Sequence, residues 1–300
     1  MKYTSRGYKV FQVFNYTFMI LVILTCLFPY LHVLAKSLND SVDTMTGGLT
    51  IFPREVTLEN YKILFKDKTI YPALNISLYS VVFGTLIALT VQFSAAYALR
   101  RKKLVGRSAI LTFLIIPMFI SGGLIPTYIL YSKAGLINNL LVYIIPGCFS
   151  FYNMIIIRTY MNSAISDSIE ESARIDGANE IIIFFRIILP LSKPILATIT
   201  LWHAVGEWNN WTTTLYFITK SQFQNLQYKL MQIIRESERI AQLMQQLAME
   251  GKDVSDLLNT ISPESLIAAQ IIFTTIPIIL VYPFLQKYFV QGVMIGAIKE

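Results

Sequence analysis

EESARIDGANEIIIFFRIILPLSKP, residues 170–194, combines a polar helix, a turn and a second, apolar helix within 25 residues. Asp167 is placed to cap the first helix, with Glu170 three residues on completing a capping-box pair. Gly177 can adopt the left-handed conformation that stops this helix and turns the chain. The second helix carries Ile182, Phe185, Ile188 and Leu189 and is interrupted near Pro190 and Pro194, where a long apolar run begins. Ser172 and Ala173 give the first helix a small face beside the acids Glu171 and Asp176. Small side chains permit close approach by another protein surface, and the acids offer it charged contacts. The same pattern also suits an ordinary amphipathic helix resting on a membrane interface.

The surrounding chain is built for lipid. Of its 300 residues 54% are hydrophobic and 14% charged, against about 25% charged in typical soluble domains, and the mean hydropathy is +0.54. A helix needs about 20 mostly apolar residues to cross the hydrocarbon core. Uncharged runs span Phe11–Ala35, Thr69–Leu99, Ser108–Ser132, Ala134–Ile157 and Ser265–Gln286, and Pro194–Thr219 holds one charge, Glu207. Each can hold one span, so the expected fold is an all-α polytopic membrane protein with six transmembrane helices. The third and fourth runs are joined through Lys133 and Gly135 as a tight external hairpin.

Basic residues orient these spans. Lys2, Arg6 and Lys9 precede the first, and Arg100, Arg101, Lys102, Lys103 and Arg107 follow the second with no acid among them. Short basic loops stay in the cytoplasm, so both termini are expected there. This bias also accounts for the net charge of +7 without nucleic acid. Val33-Leu34-Ala35 and Cys26 mimic signal cleavage and lipidation sites, but the uncharged run is too long and Leu24-Thr25 too poor a lipobox, which favours an uncleaved anchor.

Cys26, Cys148, His32 and His203 all lie in apolar runs, so neither a disulfide framework nor a metal or nucleophile site is expected. No GxxxxGK[ST] phosphate cradle occurs. Residues 1–300 read as a single transmembrane domain, with 166–194 as an internal cytoplasmic region and 220–264 as an extracellular loop. In that loop Leu226, Leu230, Ile233, Ile240, Met244 and Leu247 recur at helical spacing, which suits either a capping helix or a docking surface for an extracellular partner. The segment Lys36–Lys68 is a second external stretch, containing Asn60-Tyr61.

The fifth run ends in EWNNW, Glu207 to Trp211. An acid inside a bilayer should face a partner, water or a pore. Trp208 and Trp211 offer faces on which sugar rings stack, and Asn209 and Asn210 supply donors and acceptors for hydroxyls. Equally, tryptophans anchor helices at the membrane interface. Prolines 117, 126, 146 and 277 lie inside the runs and can bend helices, with no specific role assigned.

Residues Glu171, Ser172, Ala173, Gly177, Ile187, Leu189 and Pro190 resemble the EAA signature of ABC importer permeases, with Ser172 in place of the first alanine. Asp176, Gly177 and Ala178 resemble its carbohydrate branch. The ending FVQGVMIGAIKE and the segments IPMFISGGLIPTYILY and GLINNLLVYIIP are similar to the second, G-type permease subunit of maltose-type sugar importers, in particular the oligosaccharide branch. The resemblance covers essentially the whole chain. It implies the type I importer (MetI-like) permease fold and a non-catalytic subunit that carries a sugar by alternating access. It further implies a homologous second permease, two ATP-binding subunits holding ATP and Mg, and an extracellular solute-binding protein. Glu171, Ser172, Ala173, Asp176, Gly177 and Ala178 would then form the helix that couples to an ATPase. Within the class the cargo could be another small solute; an ion-driven secondary transporter is the outside alternative, which predicts more buried charges than Glu207.

Overall fold

The computed structural model describes residues 6–249 and 264–297. Lys2, Lys299, the last three residues of FVQGVMIGAIKE and the 250–263 part of the external loop lie outside the described residues. The helices are α1 (Arg6–Ser37), α2 (Ser41–Met45), α3 (Glu59–Lys66) and α4 (Ile70–Arg100). Then come α5 (Arg107–Phe119), α6 (Leu124–Lys133), α7 (Phe151–Ala164) and α8 (Asp167–Ile175). They are followed by α9 (Glu180–Leu191), α10 (Lys193–Trp208), α11 (Thr212–Phe217), α12 (Leu226–Met249) and α13 (Glu264–Ala297).

Among the described residues three helices are long and apolar enough to cross a membrane: α1 from Gly7, α4, and α13 as far as Val281. Two bent pairs, α5 with α6 at 119° and α9 with α10 at 80°, bring the number to five if each pair is one span. Both breaks follow from sequence. Pro126 has no N–H and its ring crowds the carbonyl four residues back, at Gly122, so α6 starts afresh after Gly123, whose φ is +82°. Pro194 likewise cannot serve the carbonyl of Pro190, and α10 restarts beyond Ser192.

The expected fourth span departs most from its reading. Residues 134–157 form a 3-10 turn, Leu140–Tyr143, and then the first half of α7, whose 14 residues begin only at Phe151. Asn138 causes part of this departure. It holds a left-handed φ of 54°, and its side-chain oxygen accepts from the backbone N–H groups of Thr219 and Lys220 at 2.7 and 3.0 Å. Pro146 and Gly147 complete the break.

The chain divides into two compact units, Met1–Lys68 with Leu230–Ile276 and Thr69–Lys229 with Pro277–Glu300. In the first, the segment after α1 is knotted by buried amides. The Asn39 side chain accepts from the N–H groups of Arg54 and Glu55 at 2.8 and 2.9 Å and donates to Asp43 at 2.7 Å. Asn60 donates to the carbonyls of Ser37 and Asn39. Lys36 reaches Glu264 at the start of α13 at 2.5 Å.

The second unit has its core where α4, α7, α9 and α10 meet. Phe93, Ala96, Tyr97 and Leu99 of α4 pack with Met154, Ile157 and Met161 of α7, Ile183 and Ile188 of α9, and Ile195 and Ile199 of α10. Outward-facing positions such as Phe113, Phe119, Ile125 and Leu130 are more than 60% exposed, as expected of surfaces that lipid or a partner subunit will cover.

Candidate coupling site

Helix α8 is short, polar and exposed on its outer face, and it is fastened at both ends. At its start the N-cap is Ser166, whose hydroxyl accepts from the Ser168 N–H at 3.3 Å. This corrects the expected cap at Asp167, which occupies the first helical position instead. A serine one residue earlier already satisfies the orphan donor, and Glu170 is drawn inward rather than back toward the cap.

At its end the Gly177 N–H donates to the Arg174 carbonyl at 3.0 Å and the Ala178 N–H to the Ala173 carbonyl at 2.9 Å. That bond pair is a Schellman motif, and it needs the left-handed φ of +83° that Gly177 adopts. Ala173 and Ala178, the two residues bridged by the second of these bonds, both pack on the core. The next helix then starts from Asn179, whose side chain accepts from the Ile182 N–H at 2.9 Å.

The turn therefore sorts the predicted residues into two faces. Ala173 and Ala178 are half-buried and hold α8 to the core, whereas Glu171, Ser172, Asp176 and Gly177 are exposed and available to a partner. Ile175 joins them, at 87% exposed. Sequence reasoning passed over it, although an isoleucine between Arg174 and Asp176 on a polar helix was a signal of apolar surface left for a partner.

A second omission lies beneath α8. Arg100, the last residue of α4, is buried, and its guanidinium pairs with the buried carboxylate of Glu170. It also donates to the Ile165 carbonyl at 2.5 Å and to Asp167 at 3.0 Å. Arg101 lies over the Tyr97 ring, 4.9 Å from its centroid, and pairs with Glu180, which also accepts from the Tyr97 hydroxyl at 2.7 Å. Arg174 spans Glu170 and Glu180 at 3.2 and 3.4 Å. A cleft of about 500 Å³ opens beside these groups, lined also by Lys102, Lys103 and Glu171.

The EWNNW stretch lies elsewhere, at the end of α10. Glu207 and His203 are one turn apart and share a face. Ser80 donates to the Glu207 carboxylate at 2.9 Å. His203 Nε2 lies 3.2 Å from the Gly147 carbonyl and Nδ1 3.3 Å from the Thr85 hydroxyl. A carbonyl can only accept, so Nε2 donates to Gly147, and in the neutral imidazole Nδ1 accepts from Thr85. Ser80 opens a π-helical turn, Ser80–Gly84, and Thr85 follows it. In a regular α-helix residues five apart differ by about 140°; the widened turn brings both hydroxyls toward α10. Trp208 is 5% exposed. Asn210, one residue before the N-cap of α11, accepts from the Thr213 N–H at 3.1 Å, and Asn209 is exposed. Trp211 is half-buried.

Residues 68–295 match the family model described as "Binding-protein-dependent transport system inner membrane component". The chain belongs to this family. Among its relatives, the polygalacturonan/rhamnogalacturonan transport system permease protein YtcP of Bacillus subtilis is 33% identical over 97% of this chain and 99% of its own length. Protein LplC of the same organism is 35% identical over 99% and 97%. A crystal structure of a bacterial ABC transporter involved in import of the acidic polysaccharide alginate contains a chain with a TM-score of 0.82 and 29% identity. That match covers 96% of this chain and all of the other. The permease fold of ABC importers is thereby the fold of this chain, and an inner-membrane, multi-pass placement follows from the family and its apolar helices.

Proposed function

We propose that this chain is one of two permease subunits of an ATP-driven importer that moves an oligosaccharide across a bacterial plasma membrane by alternating access. The observation that carries it is α8. A helix with Glu171, Ser172, Ile175 and Asp176 exposed, ended by a Schellman turn at Gly177 and rooted in the core through Ala173 and Ala178, is the shape a partner ATPase can grip and move. On this reading both termini and α8 face the cytoplasm, where the basic residues around Arg100 belong. A homologous second permease completes the pore, two ATPase subunits hold ATP and Mg, and an extracellular solute-binding protein delivers the sugar. ATP-driven closure draws the coupling helices together, and differential contact with the inward-open and outward-open states moves the spans.

The cargo is proposed from the relatives. Polygalacturonan is a polymer of galacturonic acid and alginate is acidic, so acidic oligosaccharides are the first class to test. Of the EWNNW stretch, Asn209 and Trp211 keep accessible surface for a sugar, while Glu207 and Trp208 are committed to packing.

The test is purification of the tagged chain from its native host, followed by reconstitution. Wild type should co-isolate an ATPase and give ATP-dependent uptake of oligogalacturonate. Glu171→Lys with Gly177→Val should lose the ATPase. Uptake by vesicles holding this chain and no ATPase, or ATPase association untouched by both substitutions, would remove the reading.

A further inference from the structure

We infer that Arg100 is the positioning residue through which coupling helix α8 and span α4 move as one body. The inference rests on the coupling role proposed for α8 and adds the element to which its motion is passed. Three facts converge on it.

First, Arg100 is the last residue of a 31-residue helix long enough to cross the membrane, so its guanidinium sits at the very end of the lever. Second, its side chain is 5% exposed and that of Glu170 is 9% exposed, so this pair is withdrawn from water, unlike the surrounding basic residues. Third, the contacts are distributed along the entry to α8. Arg100 holds the Ile165 carbonyl just before the helix, Asp167 in its first turn and Glu170 near its middle. A planar guanidinium with five donors is suited to such simultaneous holding; an ammonium is not.

Apolar contact alone would serve this purpose less well. On its core side α8 offers only Ala173, followed past the turn by Ala178, both too small to interlock with α4. Sliding of one helix along another costs little when side chains are small and unspecific, whereas a multidentate ion pair has one register. Arg101 and Tyr97 extend the same fastening to Glu180 at the start of α9. The end of α4 is thereby tied to both sides of the Gly177 turn.

The experiment uses the complete transporter in lipid nanodiscs, with spin labels at Ala98 on α4 and Ser168 on α8, both exposed, in a chain whose two cysteines are replaced. In wild type the interlabel distance should be the same in nucleotide-free and ATP-vanadate-trapped complexes. In Arg100→Gln the ATPase subunits should stay bound, the distance should differ between the two states, and ATP hydrolysis should drive uptake about fivefold less effectively, the lower end of typical coupling effects. Glu170→Gln, which keeps an acceptor for the guanidinium, should show the same change in smaller degree, and Arg100→Lys should not restore wild-type behaviour. A purely structural role would lower the yield of complex while leaving the interlabel distance fixed.

The inference fails if Arg100→Gln complexes keep the wild-type distance in both states, or if the wild-type distance itself changes. It fails too if neither neutral variant assembles, since Arg100 then serves folding alone. Failure of the coupling reading is separable: wild type would then bind no ATPase, while the interlabel distance in the chain by itself would still report whether α4 and α8 are fastened.

Discussion

The unit built around α4 holds two polar clusters, one at the carboxyl end of that helix and one at its π turn, and they are made of different materials. The Arg100 cluster is ionic. Two arginines of the α4 end and Arg174 meet Asp167, Glu170 and Glu180, each acid answered by a base. The Glu207 cluster is steric and dipolar: one carboxylate, one imidazole, two hydroxyls and a backbone carbonyl, fitted around glycines. A Cβ added to Gly147 would lie 3.1 Å from the Glu207 carboxylate, and one added to Gly84 3.6 Å from the Tyr143 carbonyl. The first arrangement holds an exposed helix in register; the second lets α4, α10 and the Pro146–Gly147 break pack closely inside the membrane. Charge should matter most in one and volume in the other.

The largest expected effect is charge reversal at the ionic cluster. Arg100→Glu sets a third carboxylate against Glu170 and Asp167. Breaking a buried pair costs about 3–5 kcal/mol, enough to unfold many domains. Fluorescence-detected size exclusion in detergent should show loss of the monodisperse peak. A normal peak would mean that the cluster is wetter or looser than its geometry.

Next comes crowding at the steric cluster. Gly147→Val forces branched carbons toward Glu207 and His203, and overpacking of this kind costs about 1–3 kcal/mol. A lower melting temperature of the purified protein is expected, with Gly147→Ala milder because only the flexible Glu207 side chain must yield. A stability unchanged by valine would show that the helices separate easily there.

Gly177→Ala follows. Alanine at a φ of +83° bears the left-handed penalty, about 1–2 kcal/mol, so a modest loss of stability is expected, no larger than that of Gly147→Val. The effect should appear in ATPase retention and stimulation. Glu207→Gln should be smaller still, about 1 kcal/mol or less, because an amide oxygen can accept the Ser80 hydrogen bond as the carboxylate does. If Glu207→Gln instead proved worse than Gly147→Val, the contrast between the clusters would be reversed.

How much of this was legible depended on whether the signal was local. The α8 turn was legible because Gly177 and the small residues beside it state their requirement within a few positions. The bend at Ser192 was legible, because Pro190 and Pro194 mark an interruption there, whereas that at Gly122–Gly123 was half-legible: Pro126 was noticed, but an uncharged run reads as one span whether its helix is straight or broken. The fourth run was read as one unbroken helix for the same reason. Pro146 was noticed, but the lack of charge masked Asn138 and Gly147, whose effect is on the backbone. Arg100 was read only as one of several basic loop residues. Nothing near it in sequence distinguishes it from Lys102, because its burial is decided by Glu170, 70 positions away. The Ser80–Glu207 contact spans 127 positions and was equally out of reach.

The smallest effect comes from an exposed version of the Arg100–Glu170 chemistry. Arg54 Nε lies 2.9 Å from Asp43 in the segment after α1. The Asn39 amide, and after it the Arg54 guanidinium, hold the Asp43 carboxyl below its ordinary range. A carboxyl whose folded pKa is depressed stabilises the fold above its unfolded value, about 3.9. That contribution is lost as pH falls through the lower, folded value. Between pH 7 and 5 Asp43→Asn should therefore leave the pH dependence of melting unchanged, and below about pH 4 wild type should lose more of its advantage over the variant. Because this pair is solvated, the effect should shrink in high salt, whereas that of Glu170→Gln should not. Equal salt sensitivity of the two would mean that the Arg100 cluster is open to water and holds α8 no more firmly than a surface pair.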